Sequence, residues 1–129
     1  MTGAERKTGL HRLLVVDDSN VIRRRIERAT ELPQIEFVGA ARNGIEALQL
    51  HAQLRPTLVT MDLTMPEMDG TQCVEELMGR DPALRILVIS ALADKLTAID
   101  ALEKGASGFL CKPFTDRQLN DALRRLIQD

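Results

Sequence analysis

Short runs of consecutive aliphatic or other strand-compatible residues, separated by segments with helical periodicity, constrain the fold of this chain more than any other feature. The three strongest runs are Leu13–Val16, Leu58–Met61 and Ile86–Ile89. Continuous runs of this length are typical of strands buried on both faces, whereas a strand with one solvated face alternates apolar and polar residues. The pattern therefore predicts a parallel sheet with helices on both sides.

Two weaker strands and five helical segments complete the alternation. The weaker strands are Glu36–Ala40 and Gly108–Cys111. Apolar spacing and helix-ending residues predict helices from Ser19 to about Glu31, from Asn43-Gly44 to Pro56, from after a turn at Gly70 to about Gly79, from about Leu96 to Gly105 and from Thr115 to Ile127. Alternating strands and helices with short connections predict a doubly wound α/β domain with a five-stranded parallel sheet of order 2-1-3-4-5.

Residue spacing within the helical segments identifies their apolar faces. The predicted apolar face of the second helix consists of Ile45, Leu48 and Ala52, and that of the fourth consists of Leu96, Ile99 and Leu102. Thr115 and Gln118 match a capping box at the start of the last helix. The arginine run 23–25 falls largely off the apolar stripe of the first helix, so we expect it to form a solvated face.

Composition and charge exclude several classes of function. The 129 residues are 44% hydrophobic and 28% charged with a net charge of −2, which is typical of one globular domain and not of a general nucleic-acid binder. The chain has no Trp or Tyr and only three Phe, which argues against stacking platforms for single-stranded nucleic acid. No apolar stretch approaches the roughly 20 residues of a membrane span, so we expect a cytoplasmic protein without membrane insertion.

The organisation along the chain is simple. We expect a polar N-terminal arm over residues 1–9 and a single domain over residues 10–129. The two cysteines, Cys73 and Cys111, lack the spacing of metal ligands and fall in a predicted helix and a predicted strand. We therefore expect them to be reduced and partly buried.

Polar residues stand where four of the predicted strands end. They are Asp17 and Asp18 after the first strand, Asp62 at the end of the third, Ser90 after the fourth and Lys112 after the fifth. In an open parallel sheet, ligands bind in the crevice beyond the carboxyl ends of the strands. Converging carboxylates repel one another unless a cation compensates, and oxygen ligands of this kind suit Mg²⁺. The pattern predicts a magnesium site formed by the three aspartates.

The same residues indicate phosphoryl transfer. Carboxylates act as nucleophiles that form aspartyl phosphates, and catalysis is then mostly positioning and neutralisation of charge on the transferring oxygens. Lys112 supplies a positive charge and Ser90 a hydroxyl donor for a group with several anionic oxygens. We therefore expect Asp62 to attack phosphorus while Mg²⁺, Lys112 and Ser90 hold the oxygens.

Four segments resemble those of response-regulator receiver domains. They are Leu13–Ser19, Met61–Gly70, Ile89–Ala91 and Gly105–Phe114, in the order and spacing of that family. The resemblance extends from about Leu13 to Ile127. The chain is most similar to CheY-type chemotaxis regulators, and CheY itself has the strand order 2-1-3-4-5; it is also similar to the receiver part of chemotaxis methylesterases.

The resemblance implies a role for each polar residue at the strand ends. It implies that Asp62 is the phosphoacceptor, and that Asp17 and Asp18 belong to the magnesium site. It also implies that Thr64 offers its backbone carbonyl to the metal. Lys112 matches the family's lysine, and its bond to Pro113 is expected to be cis.

Further positions match the family's switch. Ser90 stands where the family has a switch Ser or Thr, and Phe109 stands at its switch aromatic. Thr64 and Leu92 occupy positions that tune the access of attacking water. Phosphorylation then biases an existing equilibrium in which the hydroxyl of Ser90 moves inward and Phe109 turns in from the surface.

The family also implies partners. The phosphodonor is a sensor histidine kinase, and the target protein binds the face made by the fourth and fifth helices and the fifth strand, in chemotaxis or motility signalling. Such a domain catalyses its own phosphorylation and dephosphorylation without being a conventional turnover enzyme. Two alternatives keep the same fold: a receiver fragment of a larger regulator, such as a methylesterase or transcription factor, or a pseudo-receiver that acts only as an interaction module.

Two other classes of protein fit the residues less well. A flavodoxin-like cofactor binder needs a Ser/Thr/Gly-rich phosphate cradle after the first strand, where this chain has Asp17 and Asp18. A haloacid-dehalogenase-type phosphatase resembles Asp-x-Asp-x-Thr, but position 64 is Thr. Turnover of small phosphate esters would favour that second class.

Overall fold

The computed structural model describes residues 10–65, 68–91 and 94–128. The strands are β1 (His11–Val16), β2 (Ile35–Ala41), β3 (Leu58–Asp62), β4 (Arg85–Ala91) and β5 (Gly108–Lys112). The helices are α1 (Asn20–Ala29), α2 (Gly44–Leu54), α3 (Gly70–Arg80), α4 (Lys95–Glu103) and α5 (Asp116–Ile127). The predicted polar arm over residues 1–9 and Leu92 lie outside the described residues.

The sheet is entirely parallel, and its strand order is β2-β1-β3-β4-β5. The predicted doubly wound α/β fold and its order 2-1-3-4-5 are therefore confirmed. Because β1 and β3 are neighbours at the centre, Val16 pairs with Met61, and the residues that follow β1 lie beside the end of β3. At the other side of β3, Asp62 pairs with Ile89 of β4.

Two apolar cores lie on opposite faces of the sheet. One core contains buried side chains of α2, α3 and α4, among them Ala47, Val74 and Ala101. The other contains buried side chains of α1 and α5, among them Ile26 and Leu123. The strands contribute to both cores because successive side chains of a strand point to opposite faces. No helix in the described part of the chain is long and apolar enough to cross a bilayer.

The spacing of large apolar residues gave the wrong buried face for α4, and in α2 it was right only for Leu48, which packs against the core. In α4, Leu96 is 82% exposed and Ile99 is half exposed, whereas Ala98 and Ala101 are buried. In α2, Ile45 is exposed and Ala47 is buried. Small alanine side chains face the core in both helices, and they permit close packing that bulkier residues at the same position would prevent.

The start of α3 lies against the end of β3. Asp69 caps α3 by accepting a hydrogen bond from the backbone N–H of Gln72 at 2.8 Å. A Cβ atom on Gly70 would lie 2.3 Å from the carbonyl oxygen of Asp62 and 2.5 Å from the Cα atom of Leu63. Only glycine fits here without displacing the backbone that carries Asp62.

Replacing Gly70 with alanine should therefore destabilise the fold. The new methyl group would clash with backbone atoms, which cannot relieve the clash by a change of rotamer as a side chain can. We expect Gly70→Ala to lower the free energy of unfolding by about 3 kcal/mol in urea titrations followed by circular dichroism.

Gly79 provides a matched control in the same helix. Nothing lies within 4 Å of a Cβ atom placed there, so Gly79→Ala should raise the free energy of unfolding by roughly 0.5–1 kcal/mol, the ordinary gain for alanine inside a helix. Equal effects of the two substitutions would contradict the close approach of Gly70 to β3.

Candidate functional site

Four strand ends bring the predicted polar residues to one edge of the sheet. Asp17 follows β1 directly, and Asp62 is the last residue of β3. Ser90 is the penultimate residue of β4, where it pairs with Cys111, and Lys112 ends β5 opposite Ala91. The structure therefore places all four of these residues at the carboxyl edge.

The three aspartates form a cluster. Asp17, Asp18 and Asp62 each offer a carboxylate oxygen, and these oxygens lie within 4.8 Å of one another. Asp17 and Asp62 are 1% and 4% exposed, whereas Asp18 is exposed to solvent. A set of hard oxygen donors that is open to water on one side fits Mg²⁺, which usually keeps several water ligands. The acidic cluster is thus compatible with a divalent cation.

Backbone and side-chain groups hold Asp17 in place. Its Oδ1 atom accepts a hydrogen bond from the backbone N–H of Ser19 at 2.8 Å, and Ser19 in turn caps α1. The guanidinium of Arg23 donates to the backbone carbonyl oxygen of Asp17 at 2.7 Å. The orientation of this carboxylate is therefore set by the first turn of α1.

The expectation that the arginine run forms a solvated face is wrong for two of its three members. Arg24 is exposed, but Arg23 binds the loop after β1, and Arg25 binds the loop after β5. Both side chains donate hydrogen bonds to backbone carbonyl groups of these loops, and a guanidinium group with its five N–H donors is well suited to bind them. Helical periodicity alone does not reveal such contacts.

Lys112 bridges the two buried aspartates. Its Nζ atom lies 3.3 Å from Oδ2 of Asp17 and 3.5 Å from Oδ1 of Asp62. Its peptide bond to Pro113 is cis, as the resemblance implied. The ammonium group supplies one positive charge to a cluster of three carboxylates, so the site retains an excess of negative charge.

This excess acts on Asp62. Burial, followed by the negative charge of Asp17, raises the pKa of Asp62 from 3.8 to about 6. The positive charge of Lys112 and a hydrogen bond from the backbone N–H of Thr64 to Oδ1 at 3.3 Å act in the opposite direction and lower the pKa. An added cation would therefore favour the ionised form of Asp62.

Ser90 has an unsatisfied hydroxyl group. Its side chain is 2% exposed, and its Oγ atom has no hydrogen-bond partner among the described residues. Buried hydroxyl groups are normally paired, and an exception at a functional site indicates a missing partner. Phe109, the predicted switch aromatic, lies on β5 opposite Val88 and is 46% exposed.

Cys73 and Cys111 are both free thiols. Cys111 is partly buried, as predicted, whereas Cys73 is fully buried and not partly buried. Burial raises the pKa of the Cys73 thiol to about 12, and its Sγ atom contacts the carbonyl oxygen of Gly44 at 3.7 Å. An un-ionised thiol packed in this way is chemically inert.

Sequence reasoning missed two residues that shape the site. Gly70 was interpreted only as a turn residue, although its lack of a Cβ atom lets α3 begin against Asp62. Arg23 was assigned to solvent. The Asp-Gly pair before a helical segment was a usable signal for Gly70, whereas no local pattern marks the contact between Arg23 and Asp17.

The fold and the strand-end cluster together define a doubly wound α/β domain with an acidic site, a lysine and a buried hydroxyl at the carboxyl edge of its sheet. The sequence profile described as "Response regulator receiver domain" matches residues 13–124. This chain belongs to the response regulator receiver family.

Two kinds of relative support this assignment: one matches this chain over nearly its whole length, and the other over only part of its length. The chemotaxis protein CheY of Listeria monocytogenes is 36% identical over 114 residues, which cover 88% of this chain and 96% of the relative. The protein-glutamate methylesterase/protein-glutamine glutaminase of Alkalilimnicola ehrlichii is 47% identical over 107 residues, which cover 81% of this chain but 27% of the relative.

Solved structures agree with the fold. The response regulator domain of Thermotoga maritima CheB has a TM-score of 0.80 at 32% identity and covers 92% of this chain and 93% of that domain. A complex of CheX and CheY with BeF3 and Mg²⁺ from Borrelia burgdorferi has a TM-score of 0.86 at 28% identity, over 92% of this chain and 90% of the other.

The raised pKa of Asp62 gives the stability of the metal-free protein a defined pH dependence. Because the pKa is higher in the folded than in the unfolded chain, the stabilising contribution of the protonated carboxyl is fully present below pH 3.8 and is lost as the pH rises through about 6. Asp62→Asn removes this dependence. In the presence of a chelator, we expect the variant to be more stable than the wild type by about 3 kcal/mol near pH 7.5.

The extra stability of Asp62→Asn should shrink toward zero near pH 4, where the wild-type carboxyl is protonated. Asp17, Asp18 and Lys112 are the charged groups that face Asp62 in both proteins, and they remain unchanged in the variant. Urea titrations at a series of pH values measure the difference in the free energy of unfolding between the variant and the wild type. A difference that stays constant from pH 4 to 8 would show that Asp62 is not the titrating group.

Proposed function

We propose that this chain is a cytoplasmic, phosphorylation-activated receiver domain, extending over residues 10–129, of a two-component signalling system. Asp62 accepts a phosphoryl group from the phosphohistidine of a sensor histidine kinase. The observation that carries the proposal is the convergence of the Asp17, Asp18 and Asp62 carboxylates with the Lys112 ammonium, together with a buried Ser90 hydroxyl that has no partner in the part of the chain that the structure describes.

The chemistry assigns one task to each residue. A carboxylate oxygen of Asp62 forms a bond to phosphorus while the bond between phosphorus and the donor nitrogen breaks, and the donor histidine keeps that electron pair. The Lys112 ammonium, 3.5 Å from Asp62, holds one phosphoryl oxygen, and the Ser90 hydroxyl donates to another. Attack by water on the acyl phosphate later restores the carboxylate and releases inorganic phosphate.

A divalent cation fits the remaining donors. Asp17, Asp18 and Asp62, with the backbone carbonyl of Thr64, would hold Mg²⁺, which when bound neutralises negative charge on the transferring oxygens. The residues support this assignment through their excess of negative charge, because a single ammonium group faces three carboxylates.

Phosphorylation switches partner binding through Ser90 and Phe109. The added phosphoryl oxygens offer the unpartnered Ser90 hydroxyl an acceptor, and its inward movement leaves space for the half-exposed ring of Phe109 to turn in. Leu96, Ile99 and Phe109 are exposed apolar residues on α4 and β5. Their exposure supports a target-binding face formed by α4, β5 and α5.

Chemotaxis is the signalling process that the relatives favour. CheY proteins match over nearly their whole length, and methylesterases match over 27–31% of theirs. A receiver that forms part of a larger regulator would use the same chemistry with a different output. A pseudo-receiver would keep the fold and bind partners without accepting a phosphoryl group.

Incubation with acetyl phosphate and Mg²⁺ tests the proposed chemistry without requiring the kinase. We expect intact-mass spectrometry to show one phosphoryl adduct on the wild-type chain, because the small donor reaches the open edge of the sheet directly. Asp62→Asn should show no adduct, and omission of Mg²⁺ should reduce the adduct by at least about tenfold, the usual scale for losing one electrostatic group.

Asp69→Asn is the matched control. Asp69 lies in the same loop but caps α3, and asparagine caps helices as well as aspartate does. The adduct should therefore persist in this variant. An equal adduct on Asp62→Asn would contradict the assignment of the acceptor, and no adduct on the wild type would leave the pseudo-receiver as the function.

A further inference from the structure

Arg25 connects α1 to the loop between β5 and α5. Its Nη2 atom donates a hydrogen bond to the backbone carbonyl oxygen of Phe114 and lies 3.3 Å from Oδ1 of Asp116. The guanidinium carbon also lies 4.4 Å from the centre of the Phe114 ring. One side chain thus contacts a carbonyl group, an aromatic face and a carboxylate of the same short segment.

That segment directly follows Lys112. Lys112 is the last residue of β5, Phe114 is two residues further along, and α5 begins at Asp116. The ring of Phe114 is buried in the core formed with α1 and α5. The contacts of Arg25 therefore restrain the backbone from which the Lys112 side chain extends.

A separate contact already joins the end of α1 to the first half of α5. The buried side chain of Asn120 accepts from the backbone N–H of Glu31 at 2.8 Å and donates to the carbonyl oxygen of Ala29 at 2.8 Å. These bonds hold the end of α1 against α5 independently of Arg25. Loss of the Arg25 contacts should therefore loosen the loop after β5 rather than separate the helices.

The position of Lys112 matters because its charge is at the end of a flexible four-carbon side chain. Its Nζ atom lies 3.3 Å from Asp17 and 3.5 Å from Asp62, and small errors in the placement of such a group cost much of its effect on a reaction. A fixed backbone at Lys112 reduces the number of arrangements in which the ammonium misses the phosphoryl oxygen.

We propose that Arg25 is a positioning residue for phosphoryl transfer, acting through the loop after β5 to hold Lys112 at Asp62. The inference rests on the proposed function of Asp62. It assigns to one arginine of the run 23–25 a role that its neighbour Arg24, which is exposed, does not share.

The test compares Arg25→Met with Arg24→Met. Methionine keeps an apolar side chain over the Phe114 ring but has no donor and no charge. With acetyl phosphate and saturating Mg²⁺, we expect the rate of adduct formation to fall by about tenfold in Arg25→Met and to stay within about twofold of the wild type in Arg24→Met. Calorimetric titration should give an unchanged Mg²⁺ affinity for Arg25→Met, because no proposed metal ligand is displaced.

A double-mutant cycle separates positioning from general structural damage. In a Lys112→Ala background, Arg25→Met should slow the reaction little further, because the group that it positions is gone. Full additivity, a parallel loss of Mg²⁺ affinity, or a rate equal to that of Arg24→Met would each overturn the inference. Absence of an adduct on the wild-type chain would instead reject the proposed function itself.

Circular dichroism establishes that each variant is folded before its rate is measured. If Arg25→Met does not fold, Arg25→Lys replaces it in the comparison, because lysine keeps the charge but lacks the planar fork that contacts carbonyl, ring and carboxylate together. A rate below that of the wild type supports the inference, and a wild-type rate for Arg25→Lys overturns it.

Discussion

Repulsion between buried carboxylates is the constraint on which the rest of this structure depends. Asp17 and Asp62 lie almost fully out of solvent with one ammonium group between them, and Asp18 adds a third negative charge at the open side. Such an arrangement costs stability, and the pKa of Asp62 is raised by its burial first and by the negative charge of Asp17 second. It persists because the surrounding fold holds the groups in place, and it leaves the edge of the sheet prepared for a cation and an anionic group together.

The fold holds these groups mainly through backbone contacts. Gly70 lets α3 begin against the carbonyl group of Asp62, and Arg23 binds the carbonyl group of Asp17. Arg25 makes the corresponding contact after β5, at Phe114. Each contact fixes a chain segment and leaves the carboxylates and the ammonium free to bind other groups. Rigid backbone with available side chains is the arrangement that precise positioning requires.

The sequence predicted the sheet well because its strands are continuous apolar runs, and such runs have few other structural solutions. In a parallel sheet the carboxyl ends of the strands lie at the same edge. The four residues at these ends could therefore be predicted to lie together: Asp17, Asp62, Ser90 and Lys112. Helix faces were harder. Leu96 is larger and more apolar than Ala98, yet Ala98 is buried, because packing distance rather than hydrophobicity decides which face of α4 meets the core.

The contacts that orient the site were beyond prediction for a different reason. Arg23 and Arg25 both bind backbone carbonyl groups, which have no signature in the sequence, and Arg25 and Phe114 are 89 residues apart. The close approach of Gly70 to β3 depends on the path of the loop, which the glycine alone does not reveal. The residues of the site were therefore predictable, whereas the residues that orient them required the three-dimensional structure.

A crystal structure of the chain with Mg²⁺ and beryllofluoride, a mimic of the phosphoryl group, tests whether Asp62 is the phosphoacceptor. We expect beryllium attached to a carboxylate oxygen of Asp62, the Ser90 hydroxyl donating to one fluorine, and the Lys112 ammonium contacting another. Beryllofluoride bound at another residue, or a Ser90 hydroxyl that stays without a partner in the complex, would contradict it.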